Sequence, residues 1–135
     1  MWAAPEPGDI VWCQFPERPR DKPGRKPRPA LVLEVAQKED GVAVTVAYGT
    51  SKGLNAVLAG EFAIRKQQNV AAYKLAGLSF DTKFNLTNTL TLPWDDQFFA
   101  VAPDAKHGQT PKVGSLHAGM MKVAAAANRA AGKRP

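Results

Sequence analysis

The chemistry-bearing residues of this 135-residue chain are few and bunched. Arg18, Arg20, Lys22, Arg25, Lys26 and Arg28 stand within eleven positions, opposed only by Asp21. Guanidinium groups at that density attract anionic oxygen, and one arginine can hold a phosphate through two parallel hydrogen bonds. A second basic zone closes the chain. Residues 104–135 carry six basic side chains against one acidic, whereas residues 37–103 carry six of each. A near-neutral body with a basic loop and a basic tail suits a polyanion or an acidic protein as partner; a solvated loop and a frayed end are the plain alternative. Of the two histidines, His117 has the chemistry of a general acid or base, but a partly exposed helix histidine is the simpler reading. The single cysteine, Cys13, excludes an internal disulfide and any zinc site built from several cysteines, and reads as a small apolar core residue. No metal or cofactor is expected.

The elements that must position these groups follow from pattern. With 44% hydrophobic and 22% charged residues the composition is that of a globular domain. No run approaches the roughly 18 apolar residues of a membrane helix. The first residues lack the basic-then-apolar order of a signal peptide, which predicts a cytoplasmic protein without membrane attachment. Residues 9–15 read as a strand buried on much of both faces. Residues 16–29 hold five prolines, which forbid a helix or a central strand and predict a long, stiffened basic loop. Residues 30–36 and 42–48 are two aliphatic strands joined by the polar turn 38–41, a hairpin. A break follows at 49–53, then one or two short strands within 54–65. A helix is expected over 66–77 with Gly77 past its end, and a long alternating strand covers 79–92 with a bulge or turn at Asn88. A short strand at 97–101 and a C-terminal helix at about 114–130 complete one domain over residues 1–130, with 131–135 fraying. Many short strands and one terminal helix predict a mainly β fold, a small antiparallel barrel or strongly curved sheet.

The order of motifs in residues 8–65 resembles the MazF/PemK family of type II toxin–antitoxin toxins. The matching pieces are Gly8-Asp9, the strand Ile10–Phe15 with Trp12 and Phe15, a basic Pro/Gly loop, Arg28-Pro29-Ala30 with Leu31-Val32-Leu33, and a second aliphatic strand running into Thr50-Ser51-Lys52-Gly53. The resemblance implies an SH3-like barrel with a C-terminal helix, acting as a homodimer. It implies growth inhibition by metal-independent, sequence-selective cleavage of single-stranded RNA, restrained by a small acidic antitoxin. The family's catalytic pair falls on Arg28 and Thr50. Arg25, Lys26, Ser51 and Lys52 are then candidate RNA contacts, and Tyr48 is a candidate base-stacking ring, although its place in the strand alternation also suits the core. Glu17 and Asp21 are the candidate acid/base groups, since a guanidinium is a poor proton acceptor. The alternative is a non-catalytic module on the same barrel, binding nucleic acid or a protein; a toxin acting on DNA gyrase shares the fold as well.

Overall fold

The computed structural model describes residues 2–16 and 26–132. Six strands form one antiparallel sheet: β1 (Asp9–Cys13), β2 (Arg28–Lys38), β3 (Gly41–Thr50), β4 (Glu61–Ile64), β5 (Thr82–Pro93) and β6 (Lys112–Ser115). Their order in space is β4-β5-β3-β2-β1-β6. β4 and β6 lie at opposite ends of that order, so among the described residues the sheet is open and curved rather than closed. Among the described residues two α-helices, α1 (Val70–Leu75) and α2 (Met121–Ala130), and a 3-10 turn at Ala118–Met120 accompany the sheet.

Both faces of the sheet are covered, as the imperfect alternation of residues 9–15 requires. Ile10 packs with Leu31, Phe84, Leu86 and the helix residues Ala72 and Ala127. On the other face Val11 and Cys13 join Val32, Val46, Leu92, Trp94 and Phe99. The curvature has a visible cause in β5. Its register with β3 jumps from Ala47↔Thr89 to Tyr48↔Asn85. The bulge, at the position foreseen near Asn88, moves Leu90 and Leu92 to the opposite core from Phe84 and Leu86.

Helix α1 shows the strongest local coding. Asn69 Oδ1 accepts from Ala72 N at 3.0 Å and caps the start, so the helix begins after residue 69 rather than at 66. At the end, Gly77 N donates to Lys74 O and Leu78 N to Tyr73 O, the paired bonds that close a helix through a left-handed residue. Gly77 takes that conformation at φ 71°.

Three expectations need correction. The C-terminal helix spans Met121–Ala130, not about 114–130. Residues 112–115 are instead drawn into the sheet as β6, beside β1, where Lys112 Nζ sits 3.4 Å from the buried Asp9 carboxylate. His117 lies ahead of the helix, its Nδ1 accepting from Gly119 N at 2.8 Å. Residues 97–101 form no strand, only the single bridge Cys13↔Phe99. Asp95 Oδ1 accepts from Gln97 N, and that local bond turns the chain so that Phe98 and Phe99 bury together. Finally, the stiff loop does not reach residue 29, because Arg28 and Pro29 already pair with Cys13 and Trp12 in the sheet. Its residues 17–25 lie outside the described residues.

Cys13 is fully buried, and burial pushes its thiol from the ordinary 9.0 up to about 12. Between those values the unfolded chain loses the thiol proton while the folded chain keeps it, so this group's contribution to stability declines as pH rises above 9.0. Iodoacetamide should leave Cys13 unmodified in the native protein at pH 9 and alkylate it fully in denaturant, read by intact mass. Native-state labelling at the rate of a free thiol would contradict the burial argument.

Candidate nucleic-acid interface

Arg28 opens β2 and Thr50 closes β3. The β2–β3 ladder pairs Ala30 with Tyr48, and continuing that register by two places sets Arg28 across from Thr50. Both line one cleft of about 560 Å³ with Lys26, Ser51 and Lys52. Pro27 and Pro29 form part of its apolar wall, as do Trp12 from β1 and Val113 from β6. Phe80, Thr82, Pro103 and Asp104 complete it from the far segments. No acidic side chain pairs with Arg28 among the described residues.

The hydroxyl of Thr50 is held in place. Its Oγ1 accepts from Lys52 N at 3.1 Å, a local turn bond that leaves the hydroxyl hydrogen to donate to an acceptor entering the cleft. The segment that follows, residues 51–60, is tied down by nearly buried charge. Lys83 Nζ reaches Ala56 O and Glu61 Oε1, each at 3.1 Å, and Glu61 Oε1 also accepts from Leu58 N at 2.9 Å. The Arg65 guanidinium donates to Leu54 O. Gly49 sits between the two strand ends under Pro29, where a Cβ would overlap Pro29 O and come within 2.9 Å of the Phe84 ring. Its missing side chain allows β2 and β3 to close up beneath the cleft.

The cleft therefore brings together Arg28, Thr50, Lys26, Ser51 and Lys52. Arg25, Glu17 and Asp21 lie outside the described residues. Tyr48 does not line the cleft; its ring packs edge-on against Phe15, centroids 5.3 Å apart, beside the Val11 and Cys13 core. Although alternation sets Tyr48 on the same face as Thr50, its packing against Phe15 keeps the ring out of the cleft. Sequence reasoning missed Phe80 and Asp104. The sequence alternation places Phe80 within the 79–92 strand, but β5 starts at Thr82 and leaves Phe80 outside it, 71% exposed. The cue was the run Gly77-Leu78-Ser79 directly before it, which signals a loop. Asp104 carries no sequence cue beyond its charge. Among the described residues no three His, Cys, Asp or Glu side chains are placed to hold a metal ion, and no helix is long and apolar enough to cross a membrane.

A curved antiparallel sheet, with a cationic cleft where its central strands end, defines a small β domain suited to an anionic ligand. The sequence profile of PemK-like, MazF-like toxins of type II toxin–antitoxin systems matches residues 6–122, and the chain belongs to that family. Among solved structures it is similar to the Mycobacterium tuberculosis toxin MazF-mt6, with a TM-score of 0.57 and 21% identity over 94% of this chain and 99% of that one. It is also similar to a mycobacterial endoribonuclease solved in complex with its cognate antitoxin, with a TM-score of 0.60 and 15% identity over 98% of this chain and 99% of that one. At those identities the two structures speak for the fold. No curated protein sequence matches the chain.

Proposed function

We propose that this toxin is a cytoplasmic, metal-independent endoribonuclease that cleaves single-stranded RNA with sequence preference. The observation that carries the reading is the shared cleft of Arg28 and Thr50, flanked by Lys26 and Lys52, in a chain of this toxin family. The endoribonuclease similar in fold supports it.

In the reaction the 2′-hydroxyl of one nucleotide attacks its own 3′-phosphorus. An O2′–P bond forms, the P–O5′ bond breaks, the 2′ proton goes to a base and the departing 5′-oxygen takes a proton. Arg28 binds the nonbridging phosphate oxygens bidentately and stabilises the charge that gathers on them. Thr50 donates its hydroxyl hydrogen to the same phosphate. Lys26 and Lys52, both exposed, hold neighbouring phosphates. Proton acceptance falls to a carboxylate: Asp104 stands on the cleft wall, with Glu17 and Asp21 beyond the described residues. The protein acts as a homodimer, and a small acidic antitoxin neutralises it by competing for the same cations. The toxin–antitoxin complex of similar fold supports a protein partner of that kind.

Incubating a long RNA of mixed sequence with antitoxin-free protein in excess EDTA should give discrete fragments. Their upstream pieces should end in 2′,3′-cyclic phosphate and their downstream pieces should begin with a 5′-hydroxyl. An RNA with 2′-O-methyl ribose throughout should stay intact. If the folded protein cuts neither RNA, the catalytic reading fails and a binding module on the same sheet takes its place.

A further inference from the structure

We infer that Phe80 is the base-stacking platform of the cleft and holds one base of the RNA strand whose phosphates the cleft cations bind. This inference rests on the proposed ribonuclease reading and deepens it. Phe80 is 71% exposed, more than any other large apolar side chain among the described residues. A ring left in water forgoes the stabilisation that burial would give it. Its position is nonetheless well defined, because the backbone on either side is fastened. Thr82 Oγ1 donates to Phe80 O at 2.8 Å, and Asp81 Oδ1 accepts from Lys66 N at 2.9 Å. Ahead of it Leu78 is buried, and Gly77 packs so closely on Val113 O that a Cβ there would overlap it. The ring is thus presented to solvent from a rigid mount.

Its surroundings indicate the ligand. Phe80 shares the cleft with Arg28, Lys26, Lys52 and the Thr50 hydroxyl. Cations that track a phosphate backbone, together with an exposed aromatic face, are the combination by which proteins hold unpaired nucleotides. A base has a flat face that matches the ring, whereas an acidic peptide would use the cations and leave the ring idle. With Tyr48 half-buried against Phe15 and Trp12 half-buried in the cleft wall, Phe80 is the ring that the described cleft presents most openly.

Fluorescence anisotropy tests this with a labelled single-stranded RNA of about twenty nucleotides and mixed sequence. Its ribose is 2′-O-methylated so that it binds without being cut. Phe80→Ala should weaken binding about tenfold or more, within the range seen when a stacking ring is removed. Phe80→Trp should keep wild-type affinity. Phe80→Leu, apolar but not flat, should behave like the alanine variant. A series of the same RNA with one abasic position at a time supplies the second arm. At one position wild type should lose the same factor, and Phe80→Ala should lose nothing further.

If Arg28→Ala weakens binding while Phe80→Ala leaves it unchanged, the stacking inference is overturned and the ribonuclease reading stands. If Phe80→Leu retains full affinity, or no abasic position becomes silent in Phe80→Ala, a generic apolar contact replaces stacking. If wild type neither binds this RNA nor cuts the unmodified one in EDTA, both readings fall. Loss of binding to an acidic peptide with RNA binding intact would assign the ring to a protein partner instead. The ring's exposure means that none of these variants should unfold the domain.

Discussion

Replacing Arg28 with alanine should lower the rate of RNA cleavage about a hundredfold or more while leaving the fold intact. The magnitude follows from removing a preorganised donor aimed at developing phosphate charge. Arg28 is half-exposed, and no acidic side chain pairs with it among the described residues. Its loss should therefore change stability by less than about 0.5 kcal/mol. Arg28→Lys should restore only part of the rate, because an ammonium is a point charge and cannot reproduce the planar fork. Single-turnover cleavage in EDTA, followed beside a thermal melt, makes the measurement. A simple phosphate anchor and a catalytic group predict different results. Lys26→Ala or Lys52→Ala should weaken binding and reduce its salt dependence by about one phosphate contact, with little change in the rate at saturating RNA. Arg28→Ala should reduce that saturated rate. Undiminished cleavage by Arg28→Ala at saturation would remove Arg28 from the reacting phosphate.

Gly49→Ala should cost about 3 kcal/mol of stability, a drop of about 10 °C in melting temperature for a chain of this size. The added methyl would overlap the Pro29 carbonyl oxygen and press on the buried Phe84 ring. Neither neighbour is the free end of a flexible side chain, so relief requires β2 and β3 to separate. Those strands carry Arg28 and Thr50 at the ends that would open. Cleavage should therefore fall even at temperatures where the variant is fully folded, and the loss should be in the maximal rate. Circular dichroism melts and saturation kinetics on the same preparation read both effects. A wild-type melting temperature in Gly49→Ala would mean that the strands shift without strain, and the close approach would lose its proposed role beneath the cleft.

Parts of this molecule were legible in the sequence because their causes are local. The β2–β3 hairpin is encoded by two aliphatic, valine-bearing runs around a polar turn, and it forms at that place. Helix α1 stops just ahead of Gly77 because a residue able to adopt positive φ stands at that point. The bulge lies where Asn88 interrupts the apolar series Phe84, Leu86, Leu90 and Leu92. The errors have non-local causes. Leu116, Met120 and Val123 repeat at helical spacing, yet residues 112–115 pair with β1, because the sheet edge and the buried Asp9 carboxylate offer partners that an isolated helix start does not have. Gln97–Val101 has the composition of a strand, but Asp95 turns it and the Trp94 core takes up its rings.

The candidate site divides in the same way. By itself the sequence determined that the body is near neutral, that cations concentrate before Arg28, that Arg28 stands just ahead of one strand and that Thr50 stands just past its hairpin partner. Antiparallel pairing of adjacent strands then places those two residues at one end of the sheet. Only the tertiary structure decided which other groups meet there. Phe80 and Asp104 lie 52 and 76 positions beyond Arg28 in the chain, and nothing in their local sequence records that distance being closed. They reach the cleft because β5 and β6 flank the central strands and because α1 ends against the backbone of Val113. Tyr48 shows the reverse: a residue two places from Thr50, on the same strand face, is held out of the cleft by its packing against Phe15 and the neighbouring core. Proximity along a strand fixes a register, but a cleft is assembled from chain segments whose contacts depend on the packing of the whole sheet.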